Sequence, residues 1–133
     1  MACATTLSSL SQTDRDEITT RLYNKPDSTL FSAITNYLVD KGYPIQVSDR
    51  ATGLIQSDYS TEVEHFLGIF ITGNEERSRI GARITNGEVR LNIVLEERYG
   101  EHHDEWHPVI NDASDARVAY NEVFKGIENW LTR

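Results

Sequence analysis

The chain is 133 residues long, with 13 Lys and Arg against 21 Asp and Glu, a formal net charge of −8 and a single cysteine. That length suits one domain able to bury its own core without disulfide or metal staples, and one cysteine leaves no internal disulfide and no Cys-x-x-Cys site. The acidic balance argues against nucleic acid as a partner, and no apolar run approaches the roughly 20 residues that a membrane-spanning helix needs.

Residues 1–26 read as a flexible tether: Cys3 is followed by a Ser/Thr-rich stretch, and the segment ends in Asn24-Lys25-Pro26. Within it, Ile18, Thr20 and Leu22 alternate with polar neighbours, the pattern of a short edge strand. After Pro26 a helix is predicted, with Asp27 or Ser28 as N-cap, Leu30, Phe31, Ile34, Tyr37 and Leu38 on its apolar face, and Gly42 as C-cap. From residue 43 to residue 99 the period falls to two. Ile45 and Val47 alternating with polar residues, turn residues over 49–53, and Leu54-Ile55-Gln56-Ser57-Asp58-Tyr59 beyond them predict a hairpin. Val63, His65, Leu67, Ile69 and Ile71 mark a long strand, and residues 73–76 a turn. Ile80, Ala82 and Ile84 line the next strand, and Val89, Leu91, Ile93 and Leu95 the last. Between these two, Asn86-Gly87 is the strongest hairpin signal in the chain, because a type I′ turn needs positive φ at both central positions. Beyond a polar segment over 100–111, Asp112 or Ser114 caps a second helix. Its stripe is Ala116, Tyr120, Val123, Ile127 and Leu131, with Phe124 and Trp130 at the margin and Gly126 as a weak point. The expectation is an α+β two-layer sandwich over residues 27–133, an antiparallel sheet of about five strands with an N-terminal and a C-terminal helix on one face.

Several segments together carry a family likeness. Cys3 heads a polar tail, Tyr23 and Pro26 precede Leu30-Phe31-Ser32-Ala33-Ile34, and Lys41-Gly42-Tyr43-Pro44-Ile45 is followed by Asp49 and then Gly53-Leu54-Ile55-Gln56-Ser57. This order resembles small bacterial envelope lipoproteins whose folded part is similar to the helix-on-sheet domains of the C component of the outer-membrane barrel-assembly machinery. The likeness covers most of the chain and rests on spacing and residue type. It implies that Cys3, with the small Ala2 before it, is the lipid attachment site, carrying palmitate-type acyl chains. It also implies that Ala4, in place of an aspartate, directs the protein to the outer membrane facing the periplasm. The chain departs from the family pattern in that only Met1 and Ala2 precede the cysteine. The competing reading of Cys3 is an incidental residue in a disordered N-terminus.

The sequence carries no Gly-x-Ser-x-Gly and no phosphate-binding loop, and a thiol in a tail cannot be oriented by a base. The expectation is a non-catalytic protein without a cofactor. The segment His102-His103-Asp104-Glu105-Trp106-His107 concentrates nitrogen and oxygen donors, so His102, His103 and His107 are candidate metal ligands, although the His-Glu-x-x-His spacing is missing. Binding of a metal or small ligand by this loop is the alternative function.

A second surface follows from strand register. With Asn86-Gly87 as a two-residue loop, Arg83 opposes Arg90, Gly81 opposes Asn92 and Arg79 opposes Val94. With the preceding loop at 73–76, Phe70 opposes Arg79 and Phe66 opposes Arg83. Phe66, Phe70, Arg79, Arg83 and Arg90 then share the sheet face turned away from the helices. Directly opposed like charges destabilise a sheet unless something compensates. Stacking on phenylalanine or an acidic partner would do so, and neutralisation by Glu64, Glu88 and Glu96 is the plainer alternative. The function expected is that of a membrane-tethered adaptor or assembly subunit binding another envelope protein, of unspecified identity, through this face.

Overall fold

The computed structural model describes residues 10–61, 75–98, 105–110 and 112–133. The first helix, α1 (Gln12–Thr19), opens where the Ser11 hydroxyl accepts the Asp14 N–H, which satisfies one of the donors a helix N-terminus leaves free. It ends at Thr20, whose extended backbone runs straight into β1 (Thr20–Leu22). Pro26, with φ fixed near the helical value, precedes α2 (Asp27–Asp40), and Gly42 leaves the helix at φ +89°. Then come β2 (Ile45–Asp49), β3 (Leu54–Ser57), β4 (Glu75–Thr85), β5 (Glu88–Arg98) and β6 (His107–Pro108). The last element, α3 (Ala113–Leu131), is capped by the Asp112 carboxylate, which accepts the Asp115 N–H at 2.8 Å.

Among the described residues the sheet has six strands in the order β1-β5-β4-β3-β2, with β6 also paired to β5, and every pairing is antiparallel. The fold is therefore the expected α+β arrangement. Alternation does the sorting. Ile55, Ile80, Ala82, Ile84, Val89, Leu91, Ile93 and Leu95 are buried on one face together with Leu30, Ile34 and Leu38 of α2 and Ala116, Val123 and Ile127 of α3. Gly126 lets the helices approach, since a Cβ there would fall inside the Tyr37 ring. Polar atoms in this interior are matched: the Tyr43 and Ser78 hydroxyls are 2.7 Å apart, and the Ile80 N–H donates to Ser57 Oγ at 2.9 Å.

The Asn86-Gly87 turn forms as read, with φ of +50° and +83°, and the β4–β5 register is Thr85 with Glu88, Arg83 with Arg90, Gly81 with Asn92 and Arg79 with Val94. Other expectations are corrected. Residues 12–22 belong to the fold and not to a tether, because Ile18 is buried in the core and Arg21 lies 4.5 Å over the Phe124 ring. Asp27 is not the cap of α2. Its carboxylate accepts the N–H groups of Asn86 and Gly87 at 3.0 and 2.7 Å, tying the helix start to the hairpin tip. Phe124, placed at the margin of the α3 stripe, is fully buried. β4 already begins inside the stretch read as a turn at 73–76. Its two edges along 81–83 are taken by β5 and β3, so the residue facing Arg83 is Leu54 and not Phe66. The Ser60–Ser78 bridge occupies the same edge beside Arg79, where Phe70 was expected. Phe66, Phe70 and the predicted strand over 63–71 lie outside the described residues.

Candidate functional site: the open face of the sheet

Odd-numbered positions of β4 and even-numbered positions of β5 point away from α2 and α3. They place five arginines on one face, Arg77, Arg79 and Arg83 from β4 and Arg90 and Arg98 from β5. Three have carboxylate partners: Arg77 meets Glu96 at 2.8 Å, Arg98 meets Glu75 at 2.6 Å and Arg90 meets Asp16 at 3.0 Å. Arg79 and Arg83 have none among the described residues. The sequence offers Glu64, which lies outside the described residues, Glu88 and Glu96 as carboxylates for these arginines, among them Arg90. The carboxylate that reaches it comes instead from α1, and Glu96 serves Arg77. Charge-assisted hydrogen bonding from Arg90, followed by that from Gln12, holds the Asp16 carboxyl below its usual value.

At one end of the face the guanidinium groups alternate with rings. Arg77 lies 4.0 Å from the Tyr59 ring centroid and 4.3 Å from that of Trp106, Arg98 lies 4.5 Å from Trp106, and Arg79 lies 4.8 Å from Tyr59. Cation–π contacts of this kind join the chain after β3 and the chain before β6 to the central strands. Stacking on phenylalanine is one of the compensations the strand register suggests for these arginines; among the described residues the rings that stack on this face are Tyr59 and Trp106. Nothing in the local pattern marked them, because their partners lie far along the chain.

Next to this stack a groove of about 210 Å³ crosses β3, β4 and β5. Leu54 and Gln56 form one side, Asn92 and Arg90 the other, and Arg79, Gly81 and Arg83 run along the middle. The structure thus brings Arg79, Arg83 and Arg90 of the predicted surface together on one groove. Guanidinium groups carry donors but no acceptor, so the lining of the groove offers cationic donors to an anion.

Of the remaining candidates, His107 falls among the described residues. His107 is exposed at the start of β6, opposite Glu97, while His102, His103 and Cys3 lie outside the described residues. Among the described residues no cluster of His, Cys, Asp and Glu has metal-binding geometry, and no helix is long and apolar enough to cross a membrane. The strongly shifted groups are tyrosines. Burial pushes the Tyr43 phenol up to about 12 and raises Tyr23, Tyr37 and Tyr120 as well, so these hydroxyls stay neutral. No protein-family model and no curated protein matches this chain.

Proposed function

We propose that this chain is a non-catalytic adaptor domain that docks an acidic segment of a partner protein on the open face of its sheet. The observation that carries the proposal is the pair of guanidinium groups, Arg79 and Arg83, that have no carboxylate partner among the described residues, on a protein of net charge −8. An acidic chain lying across the groove supplies the missing counter-charge and relieves the direct opposition of Arg83 and Arg90. The probe is hexaglutamate, titrated by calorimetry at low salt. Replacing Arg83, which has no carboxylate partner among the described residues, with Ser weakens binding by about tenfold and leaves the unfolding midpoint within a degree or two. An unchanged affinity contradicts the proposal.

We further propose that the domain works at the bacterial outer membrane, facing the periplasm, with Cys3 as the acylated anchor. This part rests on the sequence likeness alone. Mass spectrometry of the protein from native membranes then finds Cys3 carrying fatty acyl chains. An unmodified thiol there overturns the anchor and leaves the docking face standing.

A further inference from the structure

Gly81 sits in the middle of β4, the strand with a neighbour on each side, where glycine weakens pairing because it offers no side chain and loses the most backbone freedom on folding. Two structural reasons usually keep a glycine in such a place, and neither holds. Its φ is outside the left-handed region that favours glycine, and among the described residues a Cβ there would meet Ile55 O at 3.8 Å and Gln56 Cγ at 3.9 Å, ordinary van der Waals distances. The absent side chain therefore leaves a hollow that the fold does not require.

What surrounds the hollow is specific. Along β4 the same-face neighbours on either side are Arg79 and Arg83, the two guanidinium groups of this face that have no carboxylate partner among the described residues. Across the strands the residues opposite Gly81 are Gln56 on β3 and Asn92 on β5. Both carboxamides line the same groove as the two arginines. Two cationic forks and two amide groups thus ring a space one side chain wide. A carboxylate has two oxygens able to accept about four hydrogen bonds, which matches this set of donors.

The geometry points to the hollow over Gly81 as the subsite for one carboxylate side chain, an Asp or Glu of the docked partner. This deepens the docking role proposed above and rests on it. Arg79 and Arg83 supply charge from the two ends, while Gln56 and Asn92 donate from the sides. Gly81 contributes by being absent above its Cα.

The test is the hexaglutamate titration repeated on Gly81→Val, a substitution that fills the hollow, leaves every charge in place and introduces a residue favoured in strands. The variant unfolds at the same temperature as the parent or higher, and its affinity falls about tenfold or more, comparable with Arg83→Gln. Gly81→Ala, whose methyl meets no close contact, gives an intermediate loss and decides the matter if valine disturbs the sheet. Gly81→Val binding like the parent while Arg83→Gln weakens means that the face docks acidic chains by another route, and the subsite is wrong. No binding to the parent protein overturns the docking role and the subsite together. Inorganic phosphate at matched ionic strength binds far more weakly than the peptide; if it competes as an equal, the hollow is a general anion site and not a carboxylate subsite.

Discussion

Tyr120 lies in the apolar stripe of α3, and its ring is buried as that stripe requires, yet its hydroxyl has separate work. It accepts the Ile93 N–H at 3.0 Å, on the outer edge of β5 between the residues paired with β1 and those paired with β6. A helix side chain thus closes a gap in the strand ladder. Tyr120→Phe keeps the ring and strands a buried N–H, at a cost of about 1–3 kcal/mol. Denaturant unfolding reads that loss as a lower midpoint at unchanged slope, and a midpoint equal to that of the parent contradicts it. Local pattern placed Tyr120 inward because burial follows helical period. It could not supply the hydrogen bond, whose partner is set only when α3 meets the sheet. Arg90 teaches the same lesson: its opposition to Arg83 was legible from the Asn86-Gly87 turn, whereas its partner Asp16 lies far away in sequence.

The elements most legible in the sequence were those with strong periodicity and local punctuation: α2, the β2–β3 hairpin, the β4–β5 hairpin and α3. α1 escaped because its composition is polar, with Ile18 as its buried apolar anchor, and such a stretch reads equally well as a solvated tail. Tertiary contacts hold it and β1 in place. The Arg21 guanidinium donates to Asn121 Oδ1 at 2.6 Å, and the Tyr23 hydroxyl donates to Glu128 at 2.6 Å, so β1 is stitched to α3. The neighbour of β4 was also misassigned, since alternation fixes which face a residue takes but not which strand lies beside it. The link between α1 and the sheet can be tested through Asp16. Its folded carboxyl is held below the ordinary aspartate value by the Arg90 guanidinium, so its pair with Arg90 contributes above the ordinary carboxylate range and is lost as pH falls through the lowered value. NMR titration finds the Asp16 midpoint below 3.8 in the parent and shifted upward in Arg90→Ser or in high salt. A parent midpoint at or above the ordinary aspartate value contradicts the pairing.

At the scale of the whole molecule, the two faces of the sheet divide the work. The inner face with α2 and α3 holds the core, and the outer face concentrates arginine on a protein whose total charge is −8. On the proposed docking role, the net charge repels an acidic partner at long range except where the local positive face is presented, which favours one orientation of docking. The groove over Gly81 lies at the centre of that face, flanked by the stack of Tyr59, Arg77, Trp106 and Arg98. The most direct measurement is a backbone-amide NMR map of the intact protein titrated with hexaglutamate. The account predicts saturable shifts confined to residues 54–56, 79–83 and 90–92, with α2 and α3 unmoved. Shifts centred on the helices, or none at all, would contradict the claim that the open sheet face is the docking surface.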